Sequence, residues 1–256
     1  MFDFKGKVAL VTGGTTGIGF AAAIMLARGG AAVVVAGRGE NKGADALEQL
    51  SETGARSFFM PCDVSRVSDC RSLVEETVSR LGRLDILINS AGVFMDGSIE
   101  SVTEGDYQKI MDINVKGTFF MCKMVLPEMR KVGGGAIVNV SSDSGIMGNT
   151  DAVLYCASKG AVTIFTKALS VDVAKENIRV NCVCPGDIQT PMLDREATAS
   201  NDPAAYMREM KRHYPAGRVG KPEEVAATIC FLVSDMAPFV VGAAWSIDGG
   251  LTASSY

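Results

Sequence analysis

Tyr155 and Lys159 stand four residues apart in the run Tyr155-Cys156-Ala157-Ser158-Lys159. If that run is helical, the phenol and the ammonium lie one turn apart on one face. Such a pair can do proton chemistry. A neighbouring cation favours the phenolate and lowers a tyrosine pKa from its reference value of about 10, toward the range where an acid/base group works best. Tyr-x-x-x-Lys alone reads equally well as the core edge of an amphipathic helix. Its meaning depends on what the rest of the chain builds around it.

Other reactive side chains are few. His213 is the only histidine, and its neighbours Arg212, Tyr214 and Pro215 read as a loop. A histidine nucleophile system or histidine metal site would rest on that one residue. The seven cysteines are scattered, odd in number and without metal-ligand spacing. They read as buried, reduced thiols of a cytoplasmic protein, and no metal is expected. The 256 residues, 47% hydrophobic and 21% charged, are enough for one well-filled domain over 1–256. A net charge of −4 without a basic block speaks against nucleic acid or an anionic membrane as partner. No apolar run reaches membrane-spanning length, and Met1–Lys7 does not read as a secretory signal.

Short β-branched runs alternate with amphipathic stretches. Strands are expected at 8–12, 32–36, 57–60, 84–88, 136–140, 178–183 and 244–247. Helices are expected at 18–28, 40–52, 67–81, 104–131 (broken near 114–117), 152–175 and 222–234. Strands apolar throughout, alternating with helices, imply a seven-stranded parallel α/β sheet covered on both faces. Residues 191–217 break this rhythm: the stretch is polar and carries Met192, Met207 and Met210. It leaves a strand end where open α/β sheets bind ligands, so it reads as a substrate lid or a surface loop.

The strand ends carry the remaining motifs. Thr12-Gly13-Gly14-Thr15-Thr16-Gly17-Ile18-Gly19 joins the first strand to the first helix. Glycines at 13, 17 and 19 permit a tight turn and close approach of a pyrophosphate to a helix N-terminus. The second strand ends Ala36-Gly37-Arg38, where an acid would bind the ribose 2′-OH of NAD. A cation that pairs with a 2′-phosphate stands there instead, which favours NADP(H) over NAD(H), with Glu40 two residues on. NAD(H) stays possible. Asp63-Val64 follows the third strand, where a short acid reaches an adenine amino group. Asn89-Ser90-Ala91-Gly92 follows the fourth, and its small residues let a cofactor lie against backbone. Ser141-Ser142-Asp143-Ser144-Gly145 follows the fifth, and Pro185-Gly186-Asp187-Ile188-Gln189-Thr190-Pro191 the sixth.

Taken in order and spacing, Thr12–Gly19, Asn89–Gly92, Asn114, Ser142, Tyr155-x-x-x-Lys159 and Pro185-Gly186 make the whole chain resemble a single-domain short-chain dehydrogenase/reductase. One departure is Ser90, where the family commonly has a second asparagine. The resemblance implies a Rossmann-type, doubly wound sheet. It implies that Tyr155 is the acid/base at a carbonyl or alcohol oxygen, and that Lys159 holds the nicotinamide ribose and lowers the Tyr155 pKa. Ser142 would position the substrate oxygen, with Ser144 a lesser candidate, and Asn114 would kink its helix and hold a relay water. Ile188 and Thr190 would meet the carboxamide. A homotetramer is also implied.

The substrate is less constrained. Phe94, Met95, Met147, Leu154, Met192, Met207 and Met210 either line a pocket or pack the lid, and they agree with a hydrophobic cyclic or steroid-like ketone or alcohol. Arg195, Arg208, Lys211 and Arg212 keep reduction of a 3-oxoacyl carrier protein open. The motifs are also compatible with an NAD-linked sugar or polyol dehydrogenase, and with a regulator that binds the cofactor without catalysis.

Overall fold

In a computed structural model, residues 2–254 are described; Met1, Ser255 and Tyr256 of the expected domain lie outside them. β1 (Val8–Thr12), β2 (Ala32–Gly37), β3 (Ser57–Pro61), β4 (Ile86–Asn89), β5 (Gly135–Val140), β6 (Ile178–Pro185) and β7 (Ala244–Ile247) form one sheet in the order β3-β2-β1-β4-β5-β6-β7. Every pairing is parallel.

Alternation along each strand feeds two cores. From β1 and β2, Ala9, Val11, Val33 and Val35 pack on one face, beneath α1 (Gly17–Arg28), α2 (Glu40–Ser51) and α9 (Pro222–Val233). Val8, Leu10, Val34 and Ala36 pack on the other, beneath α3 (Val67–Leu81) and α5 (Thr118–Lys131). Full burial of one such aliphatic side chain stabilises the fold by about 1.5–3 kcal/mol. A strand buried on both faces has no polar side, which is why these runs read as continuously apolar.

Chain order reverses between β1 and β4. The carboxyl ends of these strands splay their loops apart and leave a crevice, the usual ligand position in such sheets. The fourth strand starts two residues later than expected, because Asp85 caps the sheet: its carboxylate accepts the Val8 N–H at 2.9 Å and pairs with Arg83 at 2.6 Å.

Two helical regions position the site. The expected break in 104–131 is a π-helical segment, Met111–Gly117, between α4 (Glu104–Ile110) and α5. The Tyr155 helix is α6 (Val153–Val173). The stretch 191–217 is more ordered than an insertion loop: it contains α7 (Pro191–Ala199) and α8 (Pro203–His213). Each begins with proline at the first helical position, where the missing N–H costs nothing. The Asp202 carboxylate caps α8 by accepting the Ala205 N–H at 2.9 Å. His213, expected in a loop, is the last residue of α8 and is exposed.

Candidate active site

The first turn is a cradle built by glycine. Gly13 has φ +63°, a left-handed conformation costly for other residues, and a Cβ there would lie 2.7 Å from the Ala91 nitrogen. A Cβ on Gly17 would lie 3.2 Å from Thr190 Cγ2, so the turn, the 89–92 loop and Thr190 pack together. Thr16 precedes α1 without a side-chain cap. The first N–H groups of α1, at Gly17, Ile18 and Gly19, are thus free of side-chain acceptors and suit an anion. Thr15 lies beside Gly37 at the end of β2. Arg38 is exposed just beyond it. Burial opposes ionisation of Asp63, but hydrogen bonds from Ser65 and the charges of Arg38 and Arg66 hold its carboxyl below the usual range. Arg38 and Asp63 therefore share one corner of the crevice. Uncapped amides, close-approach glycines, a cation and an acid in this order fit the phosphates, ribose and adenine of a nicotinamide dinucleotide.

Two candidates turn their side chains away from that groove. The Asn89 amide donates to Asn139 Oδ1 at 2.9 Å and to Cys122 Sγ at 3.3 Å, and the Asn139 amide donates to Thr166 Oγ1 at 2.9 Å. Asn89 thus ties β4 to β5 and, through Asn139, to α6, leaving only its backbone to a cofactor. The Ile188 side chain is buried in the core. Val64 packs on Gly117 of the π-helical segment. Gly186 follows Pro185 beneath the Tyr214 ring.

Around Tyr155 the elements converge. Asn114 Oδ1 accepts the Val93 N–H at 2.9 Å, and its Nδ2 donates to Val93 O at 3.0 Å and Ser158 Oγ at 3.1 Å. The π-helical segment is locked to the 89–93 loop and to α6 by this one amide. Gly92 lies against both Asn114 and Lys159. Lys159 Nζ donates to Val140 O at 2.8 Å and stands 5.6 Å from the Tyr155 ring centroid. The Phe94 ring meets the Tyr155 ring edge-on, with centroids 4.9 Å apart. Adjacent serines point opposite ways, as strand geometry requires. Ser141 Oγ bonds Lys159 O and Thr163 within the body, whereas Ser142 interacts with the Tyr155 phenol.

The electrostatics correct one expectation. Lys159 does not bring Tyr155 below its ordinary value of 10. Burial, the largest influence, pushes the phenol well above it; hydrogen bonding from Ser142 opposes this, and the charges of Asp143, Glu196 and Asp187 add to the rise. Burial also draws Lys159 down to about 8. Tyr155 therefore holds its proton through the neutral range.

The carboxylates facing Tyr155 went unrecognised in the sequence. Burial, with a smaller contribution from the Asp143 charge, raises Asp187. Burial and then the Asp187 charge raise Glu196 to about 7, and the Tyr206 hydroxyl donates to Glu196 at 3.2 Å. A carboxyl with a raised folded-state pKa is held protonated more tightly in the folded protein than in the unfolded chain. That stabilisation is complete below the ordinary 4.5 and is lost as pH rises toward about 7. Glu196→Gln is therefore expected to gain little at pH 5 and to melt about 2–4 °C higher at pH 8, for an effect of about 1 kcal/mol after solvent screening. A gain of equal size at both pH values would contradict this.

Phe94 touches Tyr155; Met192 is half-buried on α7, and Met147 is exposed just after the Ser142 turn. Met207 and Met210 pack with Leu193, Tyr214 and Val219, so they fasten α8 to the body. Arg208 and Arg212 approach Asp202 and Glu209 at 4.0 and 3.6 Å. Among the described residues no histidine, cysteine and carboxylate cluster is placed to hold a metal ion, and no helix is long and apolar enough to cross a membrane.

A doubly wound sheet with a dinucleotide groove ending at a half-buried tyrosine and a buried lysine defines a nicotinamide-dependent oxidoreductase. Comparison with known proteins agrees. The enoyl-(acyl carrier protein) reductase family model matches residues 13–252. An L-fucose dehydrogenase of Bos taurus is 40% identical over 96% of this chain and 90% of its own length. A cyclopentanol dehydrogenase of a Comamonas species is 39% identical, covering 97% of this chain and 98% of that protein. The solved structure of a variant of actinorhodin polyketide ketoreductase with NADPH superposes with a TM-score of 0.92 at 35% identity, covering 96% of this chain and 97% of that one. The chain belongs to the short-chain dehydrogenase/reductase family and is an NAD(P)-dependent oxidoreductase acting on alcohols or ketones.

Proposed function

We propose that the protein interconverts a secondary alcohol and a ketone with NADP(H), Tyr155 acting as the acid/base. The observation that carries this reading is the Tyr155 phenol between the Lys159 ammonium, 5.6 Å from its ring, and the Ser142 hydroxyl. When bound, the nicotinamide supplies or accepts the hydride. The chain's own residues do the rest. Tyr155 gives a proton to the carbonyl oxygen in reduction and takes one from the alcohol in oxidation. Lys159 holds the ribose hydroxyls and keeps its charge near the phenol. Ser142 fixes the substrate oxygen. Asn114 holds the π-helical segment against α6 through Ser158, next to Lys159, and retains a relay water there. The test is a panel of secondary alcohols and ketones, including cyclopentanol and L-fucose, followed by nicotinamide absorbance. No turnover across the panel would refute the reading.

NADP(H) is favoured by Arg38. Arg38→Ala should lower the NADP(H)-to-NAD(H) ratio of kcat/KM by about 10–100-fold, the loss of one charge-assisted hydrogen bond or pair of bonds; an unchanged ratio removes Arg38 as selector. A neutral cyclic substrate agrees with the apolar Phe94 ring against Tyr155 and with the apolar side chains Met147 and Met192 on the segments that follow the fifth and sixth strands. Asp187 and Glu196 beside Tyr155 work against an anionic acyl-carrier tail. A second reading, a polyol, is favoured by Glu196, whose charge reaches the Tyr155 phenol and which already accepts one hydroxyl, that of Tyr206, and by the likeness to L-fucose dehydrogenase.

The proposal extends to assembly and compartment. Phe119, Ile164 and Val171 are exposed on α5 and α6, Val171 at 77%. A homotetramer that covers them accounts for such faces, and light scattering measures it. The seven free thiols, all but Cys156 buried, suit a reducing cytoplasm.

A further inference from the structure

Strand β6 ends in a turn whose backbone is bonded almost completely within the protein. The Gly186 N–H donates to Ile247 O on β7 at 3.2 Å, and the Gln189 N–H donates to Gly220 O at 2.9 Å. The Asp187 N–H donates to the Tyr214 hydroxyl at 2.6 Å. Asp187 O accepts the Gly220 N–H at 2.9 Å. From Gly186 to Gln189, the Ile188 N–H alone has no acceptor among the described residues. The Ile188 side chain is buried in the core, so this N–H is what Ile188 presents to a ligand. The segment lies against the dinucleotide turn, since a Cβ on Gly17 would lie 3.2 Å from Thr190 Cγ2.

Two neighbours set the direction of that N–H. The Asp187 C=O and the Ile188 N–H belong to one planar trans peptide and point opposite ways. With the carbonyl turned to Gly220, the N–H points away from Gly220. Tyr214 holds the other side of Asp187. A hydroxyl has one proton and two lone pairs; that of Tyr214 accepts the Asp187 N–H and also hydrogen-bonds the Asp187 carboxylate. The Tyr214 ring is buried and packs with Leu193 of α7 and Val219. A Cβ on Gly186 would meet its Cε1 at 2.7 Å. The Gly217 N–H donates to Tyr214 O at 2.8 Å. Tyr214 directly follows α8, so one hydroxyl joins the base of the 191–217 segment to the end of β6.

We propose that Tyr214 is a positioning residue: its hydroxyl holds Asp187 so that the Ile188 N–H meets the carboxamide of the nicotinamide. This rests on the NADP(H) reading above. The phosphates and adenosine of the cofactor fall to the α1 amides, Arg38 and Asp63, none of which Tyr214 touches. Tyr214 therefore acts on the nicotinamide half of the cofactor alone.

The test compares two ligands by isothermal titration calorimetry: NADPH, and 2′-phospho-ADP-ribose, which lacks the nicotinamide. Tyr214→Phe keeps the ring over Gly186 and removes only the oxygen. It should raise the NADPH Kd about three- to tenfold, the scale of one hydrogen bond, and leave the Kd of the fragment within about twofold. Gly186→Ala, whose Cβ presses on the Tyr214 ring, should show the same selectivity by a second route. A loss shared equally by both ligands would make Tyr214 a packing residue and overturn the inference. Wild-type affinity for NADPH in folded Tyr214→Phe would also overturn it. If Tyr214→Phe does not fold, Gly186→Ala decides by the same outcomes. If the wild type prefers NADH, the pair compared is NADH and ADP-ribose, and only the Arg38 selectivity is lost. If the wild type binds neither dinucleotide, the oxidoreductase reading fails and the inference with it.

Discussion

Tyr155→Phe is expected to lower kcat by about 10²–10⁴-fold, the contribution of one placed acid/base, while the affinity for NADP(H) stays within about threefold. The substitution removes one oxygen and keeps the ring. The edge-on contact with Phe94 at 4.9 Å and the Lys159 ammonium at 5.6 Å both persist, so the fold has no reason to change. Steady-state rates with a responsive alcohol, beside a fluorescence titration of reduced cofactor, separate chemistry from binding. Equal turnover would remove Tyr155 from the mechanism. Equal loss of binding and turnover would make it a packing residue.

Gly13→Ala should act on the other half of the site. Gly13 sits at φ +63°, and a Cβ would meet the Ala91 nitrogen at 2.7 Å and the Ser90 carbonyl carbon at 2.8 Å. Both are backbone atoms of the loop that braces Lys159 through Gly92, so no flexible side chain can give way. Strain of this kind costs about 1–3 kcal/mol, and opening the turn pulls the α1 amides out of register with a pyrophosphate. The NADP(H) Kd should rise on the order of tenfold or more, with a lower melting temperature; 1.4 kcal/mol is about tenfold in Kd. Circular dichroism distinguishes a folded, poorly binding variant from an unfolded one. A variant with wild-type Kd and melting temperature would mean that the turn does not cradle the cofactor.

Features set by local rules were legible in the sequence. The strands announced themselves because burial on both faces leaves no polar period, and Gly13, Gly17 and Gly19 because backbone approach tolerates no side chain. Helical spacing puts Tyr155 and Lys159 on one face, and the ordered motifs around them gave that face its meaning. The break near Asn114 was visible, though not that it is π-helical with its amide spent on Val93 and Ser158. Helices α7 and α8 were hidden in a polar stretch, yet Thr190-Pro191 and Asp202-Pro203 are start signals that would have found them. What could not be read was convergence. Asp143, Asp187 and Glu196 come from three separate segments, and only the fold sets them around one phenol. That is why the sign of the Tyr155 shift was missed: proximity to Lys159 is a local fact, while burial and three distant carboxylates are not. The ladder from Asn89 through Asn139 to Thr166 was hidden for the same reason.

The most direct test of the central claim follows the hydrogen. A secondary alcohol that the protein oxidises is labelled with deuterium at its carbinol carbon, and the reduced nicotinamide is analysed by mass spectrometry. The account predicts one deuterium on the cofactor for each ketone formed, with the alcohol's hydroxyl proton released to solvent and product formation lost in Tyr155→Phe. Ketone formed with the label in water, or undiminished label transfer in Tyr155→Phe, would contradict it.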